Sequence, residues 1–306
     1  MSNSTAGLRR QIDSAADLQS VVRTMKAIAA SSIGQYERSV RALVDYKRTV
    51  DLGLGACLRT LGSSASRATR RTSATRRVVS VVVFGSDQGL VGRFNEAVAD
   101  HAIATLGSLP DVPRVFAVGE RVHALLVDAG LAPVGRFAVP TSVNAIPPLV
   151  GQILVDSQRA GRHEADSQLH LIYNSPASAA AYRTVSKQLL PLDEGWRRTC
   201  IETPWPTKNL PEVMGGAAVT LAALVGEYLF VSLFRACAES LASENSSRLA
   251  AMERADKNID ELLVDLRGSF HRLRQDGIDE ELFDVISGFE ALNRPRQRPK
   301  GQGAPP

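Results

Sequence analysis

The sequence has little of what small stapled folds and metal sites depend on. Its cysteines are Cys57, Cys200 and Cys237. An odd number at such wide spacing excludes a disulfide framework and offers no zinc-ligand pattern. Cysteines used this way fit a reducing compartment. Aromatic residues make up only 5%, too few for an aromatic-rich sandwich or barrel, whereas abundant alanine suits close helix packing. Proline is absent until Pro110. The start, MSNSTAGLRRQIDSAAD, lacks the apolar core of a signal peptide. No run supplies the roughly 20 uncharged apolar residues of a membrane span. Ala217 to Phe234 comes closest, and Glu227 interrupts it. The expectation is a soluble, intracellular chain that can still dock on something in a membrane. Net charge is +4 with a pI near 9.1, too mild to imply a nucleic-acid partner.

Catalytic patterns are missing too. The histidines, His101, His123, His163, His170 and His271, include no pair at ligand spacing, and no G-x-S-x-G elbow accompanies them. His163-Glu164-Ala165-Asp166 reads as a surface turn. The loop GSDQGLVG follows a strand and precedes a helix, as a phosphate loop would. Yet Gly85, Gly89 and Gly92 do not make G-x-G-x-x-G, and no Gly-Lys-Ser/Thr follows. It reads as a tight turn with Asn95 capping the next helix. No catalytic residue, metal, cofactor or direct nucleotide binding is expected.

What is present is helix, then α/β, then helix. From Leu8 alternating steps of four and three pick out Leu8, Ile12, Ala15, Gln19, Val22, Lys26, Ala29, Ile33, Tyr36, Val40 and Leu43, which is coiled-coil spacing. This predicts one helix over residues 1–61. Residues 62–77, small, polar and arginine-rich, read as a solvated linker. Val78 to Phe84 is a continuous β-branched run, a buried strand. Strands at Arg114–Val118, Val134–Ala138 and Gln168–Tyr173 alternate with helices at Asn95–Leu106, Glu120–Ala129 and Ile146–Arg159. That alternation predicts an open, mainly parallel, Rossmann-like α/β domain over residues 78–205. Residues 206–292 read as a second helix whose seam runs Met252, Ala255, Ile259, Leu262, Leu266, Phe270 and Leu273. The step from Leu273 to Ile278 breaks the seam at Gly277. Unbroken, about 80 residues would reach roughly 120 Å. Neither long helix can bury its stripe alone, so the two are expected to form an antiparallel coiled coil with the α/β domain inserted between them. Asp276 to Glu290 carries acids and no base. Residues 293–306 then carry Arg294, Arg296, Arg298 and Lys300 among prolines and read as a disordered tail.

Three motifs carry a resemblance. RRQIDSAADLQSVVRTMKAIAAS resembles R-I-x-S-V-x-x-T-x-x-I-T-x-A-M-x-M-V-A, GSDQGLVGRFN resembles S-D-R-G-L-C-G-x-x-N, and LASENSSRLAAMERADKN with RQDGIDEELFDVISGFEAL resembles L-x-S-E-x-x-A-R-x-x-A-M-x-x-A-x-x-N and R-Q-x-x-I-T-x-E-L-x-E-I-x-x-G. In this order, from Leu8 to Leu292, they resemble the γ subunit of F-type ATP synthases, the central rotor. The resemblance implies a coiled coil inside a ring of three α and three β subunits. It also implies a Rossmann-like foot that meets subunit ε and the c-ring, on the cytoplasmic face of the bacterial plasma membrane. It places Met25, Lys26, Arg274, Gln275, Asp279 and Glu281 against β, Arg248 in the Ser-Glu motif, and Glu202 near ε and the c-ring. The chain departs from the pattern at Gln88, Val91 and Asp279, where the family has arginine, cysteine and threonine, and it lacks the paired-cysteine redox segment of plastid relatives. These departures, with the wording DLQSVVRTMK, look most like the alternative, N-type bacterial subfamily.

Overall fold

The structure, a computed structural model, describes residues 4–62, 78–107, 113–159, 168–178, 182–209, 211–213 and 216–293. The basic linker beyond Gly62, the turn at His163-Glu164-Ala165-Asp166 and the tail from Arg294 onward lie outside the described residues.

Two long helices dominate the sequence. Helix α1 covers Thr5–Leu61, 57 residues. The Ser4 hydroxyl accepts from the Gly7 backbone N–H at 3.1 Å and so caps its start. Its end is marked by Gly62, whose φ of 52° is left-handed and whose N–H donates to the Leu58 carbonyl at 3.2 Å, the usual glycine stop. The last helix, α6, covers Ala217–Asn293, 77 residues. It runs through Gly277 without interruption. One glycine costs a helix only about 1 kcal/mol relative to alanine, too little to break it.

The chain packs as two units, one of Met1–Thr24 with Arg254–Pro306 and one of Met25–Glu253. Both long helices contribute to each. The larger unit holds a five-stranded sheet in the order β3-β2-β1-β4-β5. Strand β1 (Val79–Phe84) is central, parallel to β2 (Arg114–Val118) on one side and to β4 (Gln168–Ser175) on the other. Strand β3 (Gly135–Phe137) extends the β2 side in parallel, and β5 (Arg183–Leu190) closes the β4 side antiparallel. Helices α2 (Phe94–Gly107), α3 (Glu120–Asp128) and α4 (Ile146–Arg159) cover the faces. Pro147 and Pro148 sit in the first turn of α4, where no intrahelical N–H is needed.

All six residues of β1 are buried, and alternation divides them. Val79, Val81 and Val83 pack with Val98, Ala102, Val122 and Leu126 of α2 and α3. Val82 and Phe84 pack with Leu54 of α1, Ile146 and Ile153 of α4, and Leu229 and Leu233 of α6. A strand covered on both faces has no polar side, which is why its sequence is a continuous apolar run. The same packing accounts for only part of the apolar start of α6, whose first eleven residues, 217–227, are exposed or half-buried. Its 18-residue window of mean hydropathy 1.9 is long and apolar enough to cross a membrane by length and composition, more so than the sequence expectation allowed. But Tyr228, Leu229, Leu233 and Phe234 lie in the sheet core.

Two elements were not read from the sequence: β5, and α5 (Glu194–Glu202), which Asp193 caps by accepting from the Trp196 N–H at 2.9 Å. The β5 sequence, RTVSKQLL, belongs to an edge strand that is mostly open on one side, so it carries no apolar run. Two readings are corrected. Asn95 lies inside α2 and does not cap it; its Oδ1 accepts from the Ser86 N–H at 2.9 Å. Leu262, expected in the seam, is 49% exposed, and the buried position belongs to Leu263. Stepping by four and three from Met252 gives Asp256, Ile259, Leu263, Leu266, Phe270 and Leu273, and all of these are buried or half-buried. The Leu262-Leu263 pair leaves the choice open in sequence, and the helical repeat resolves it.

Candidate functional site

In the smaller unit, Leu8, Ala15, Gln19 and Val22 of α1 and Ile259 and Leu263 of α6 are buried, while Ile12 and Leu266 are half-buried. One buried position is polar. The Gln19 amide donates to Asp256 Oδ1 at 3.2 Å and also to Asp260, and Arg23 reaches Asp256 at 3.1 Å and Asp260 at 3.6 Å. A polar residue at a seam position fixes register, because any slip leaves it unpaired in an apolar stripe.

Beyond Leu273 the character of α6 changes. Every residue from Arg274 to Phe289 is exposed. These include the bulky apolar side chains Ile278, Leu282, Phe283, Val285, Ile286 and Phe289. At about 100° per residue, Ile278, Leu282, Val285, Ile286 and Phe289 fall within an arc of about 100°. An apolar stripe exposed over about three turns marks an interaction surface. Arg274, Gln275, Asp279 and Glu281 share this segment, and each is exposed.

The remaining candidates fall in the larger unit. Met25 and Lys26 are half-buried on α1, as is Ile33; Met252 is buried on α6; and Glu202 is exposed at the end of α5.

In a doubly wound sheet, ligands bind where strand order reverses, outside the carboxyl ends of the strands. Here that place lies beyond β1 and β4, and the chain's own groups fill it. Ser86 is locked by Asn95, whose Nδ2 donates to Ser86 Oγ at 2.8 Å. Asp87 accepts from the N–H groups of Glu120 and Val139, each at 2.9 Å, and so ties the loop to α3 and to the chain after β3. Asn174 donates to the Phe94 carbonyl at 2.9 Å, and Ser247 of α6 donates to the Val91 carbonyl. A Cβ on Gly85 would lie 2.4 Å from that of Val122, and Gly119, at φ 117°, would bring one within 2.8 Å of Ser86. The loop is a packed joint between sheet and α6. Leu90 is its one bulky apolar side chain turned outward, exposed and with a left-handed φ of 63°.

Where that joint meets α6, charge is buried. Arg248 Nη2 donates to Glu244 Oε1 at 2.6 Å. Burial pushes the Glu244 carboxyl up more than Arg248 pulls it down. Nearer the start of α6, Glu239 accepts from Arg235 and, at 2.9 Å, from the Ser175 hydroxyl of β4. The sequence motif was legible at Arg248, but the Glu239 link was missed. Its only signal was an acid within an apolar helical run. Among the described residues no group of three or more His, Cys, Asp or Glu side chains could hold a metal ion.

The model of the ATP synthase family matches residues 4–292. The chain belongs to the ATP synthase family. Its similar relatives are gamma chains. The ATP synthase gamma chain of Desulforamulus reducens is 26% identical, with 94% of this chain and 99% of the relative covered. That of Nocardioides sp. is 27% identical over 93% and 95%. Among solved structures, a chain of the Euglena gracilis mitochondrial ATP synthase in its assembly of OSCP, F1 and c-ring aligns over 98% of this chain and 99% of its own, with a TM-score of 0.59 and 16% identity. A chain of the rotor from the same enzyme aligns over 90% and 98% with a TM-score of 0.57 and 15% identity. At such identities the likeness is one of fold. It holds for the long helices and the inserted α/β domain together.

Proposed function

We propose that this chain is the central-stalk rotor of a bacterial F-type ATP synthase, turning inside a ring of α and β subunits and resting on the c-ring with subunit ε. The observation that carries this reading is the uncovered apolar stripe from Ile278 to Phe289, at the end of a chain whose family match runs from 4 to 292. A rotor needs such a surface. It biases each catalytic site only if its contact free energy differs between the site's conformations. Apolar contacts made and broken as the helix end turns supply that difference without any bond being chemically changed. In this reading the chain is non-catalytic, and chemistry belongs to the ring.

The roles are those that the resemblance implies for these residues. Arg274, Gln275, Asp279 and Glu281 flank the stripe and face β, Met25 and Lys26 meet the β lever, and Glu202 lies toward ε and the c-ring. Helices Thr5–Leu61 and Ala217–Asn293 form the rotating part, with residues 62–77 the linker, 78–205 the foot and 294–306 the tail; the second helix starts at Ala217 and not at residue 206, where the sequence pattern placed it. The complex sits at the cytoplasmic face of the plasma membrane, held there through its partners.

The test is a native purification through a tag on this chain from its host's membranes. Two larger subunits in excess, with ATPase activity, are expected. A disulfide tether between Arg274→Cys and a cysteine on β should then stop turnover, and reduction should restore it. A lone protein, or turnover indifferent to the tether, would overturn the rotor reading.

A further inference from the structure

Buried polar atoms without a partner are uncommon in folded chains, and here they gather. Four stand on one stretch of α6: Ser240 Oγ, Ser243 Oγ, Glu244 Oε2 and Arg248 Nε. Elsewhere among the described residues only Asp51 and His101 carry one each. Ser240, Ser243 and Glu244 are each more than nine-tenths buried. At about 100° per residue, positions 240, 243, 244, 247 and 248 fall within an arc of about 140°. Residues three or four apart on a helix have Cβ atoms about 5–6 Å apart, so these groups line one strip.

Other elements close the strip in. Ser247 donates to the Val91 carbonyl in the loop after β1. Burial above all, and more weakly Asp87 of that loop, push the Glu244 carboxyl up against the pull of Arg248. Burial, then Glu244 and Cys237, push the Tyr36 hydroxyl up, and Arg248 pulls it down. Tyr36 therefore faces the strip from α1, and Cys237 flanks it on α6.

The direct bonds leave chemistry over. Arg248 donates through Nη2 to Glu244 Oε1 at 2.6 Å and through Nη1 to Asn245 Oδ1 at 3.4 Å. What remains is an N–H that only donates, a carboxyl oxygen that accepts when ionised, and two hydroxyls that do either. A metal ion in the strip would meet the Arg248 guanidinium, and an anion would meet the Glu244 carboxylate. An uncharged molecule that donates and accepts at once fits all four atoms. Water does so, taking two to four hydrogen bonds in such buried sites.

We propose that this strip is a water site, in which ordered internal water joins Glu244 Oε2 and Arg248 Nε to the hydroxyls of Ser240 and Ser243. Bridged hydrogen bonds are nearly as favourable as direct ones. The water completes the shells of a buried ion pair that has only one direct contact of its own, and it makes the joint between α6 and the loop after β1 polar and closed. The inference stands on the chain's own atoms and does not depend on the rotor reading.

Two measurements on the full chain test it. In an experimental structure at high resolution, water density is expected within about 2.7–3.2 Å of at least two of the four atoms. No such density, or side chains that pair directly in its place, would overturn the proposal. The second measurement is the melting temperature of Ser240→Ala with Ser243→Ala. If the hydroxyls hold water, their loss strips Glu244 and Arg248 of it, and the melting temperature should fall by several degrees. In a dry strip the same change removes two buried unpaired groups, and the melting temperature should hold or rise. Alanine is the better helix former, so a fall cannot come from propensity. An unchanged or raised melting temperature would overturn the water site.

Discussion

Arg248 lies one helical turn beyond Glu244, and the two form an ion pair at 2.6 Å with side chains only 13% and 8% exposed. The pair is incompletely satisfied, since Glu244 Oε2 and Arg248 Nε find no partner among the described residues. Removing one member leaves the other charged and buried. Arg248→Ala should therefore destabilise the isolated chain by about 3–5 kcal/mol, whereas the double change Glu244→Leu with Arg248→Met should cost far less. Urea unfolding of the three variants checks the order.

The same pair sets a pH dependence. Burial holds the folded-state pKa of Glu244 above its ordinary value. The folded state then keeps a proton that the unfolded state releases, so stability falls as pH rises from the ordinary carboxylate range through the raised value. Glu244→Gln cannot titrate. The stability of the parent relative to this variant should decline from pH 4 to pH 7, as measured by melting at each pH. A difference that stays flat or grows would show that Arg248, not burial, sets the charge of Glu244.

Leu262 and Leu263 separate what was legible from what was not. Leu263→Ala removes a buried side chain and should cost about 2–5 kcal/mol, while Leu262→Ala, half in solvent, should cost under about 1 kcal/mol. Thermal melts of the isolated chain decide between them. In sequence both leucines fit a broad stripe, and only accumulated helical phase separates them. The long helices and the central strands were readable because each repeats one period over many residues. Strand β5 and helix α5 were not, because each is short and lies at an edge where few positions must be apolar. The candidate site was readable as motifs. Its physical form, an apolar stripe backed by an acidic face, required knowing that no described residue covers Ile278 to Phe289.

Gln19 and Arg23 both reach Asp256, and they should not matter equally. Gln19 is buried, so Gln19→Ala leaves Asp256 and Asp260 short of a donor beside an apolar seam and should cost about 1–3 kcal/mol. The Arg23 side chain is 58% exposed, and Arg23→Ala should cost under about 1 kcal/mol, less still in high salt. Parallel melts at two ionic strengths measure both claims. Equal costs would remove Gln19 as the residue that fixes register.

Asp279 stands where the resembled pattern has threonine, on a helix end that is exposed from Arg274 to Phe289. Restoring threonine there changes no buried contact, so Asp279→Thr should leave stability within about 0.5 kcal/mol. A carboxylate and a hydroxyl differ by a full charge and a donor, however, and both are felt most by a partner surface that excludes water. Coupling should therefore move where folding does not. In membranes carrying the whole complex, the ratio of ions pumped to ATP hydrolysed should change between Asp279 and threonine, while the melting temperature of the isolated chain holds. If the melting temperature falls and the pumping ratio stays put, Asp279 supports the helix end and does not face the ring.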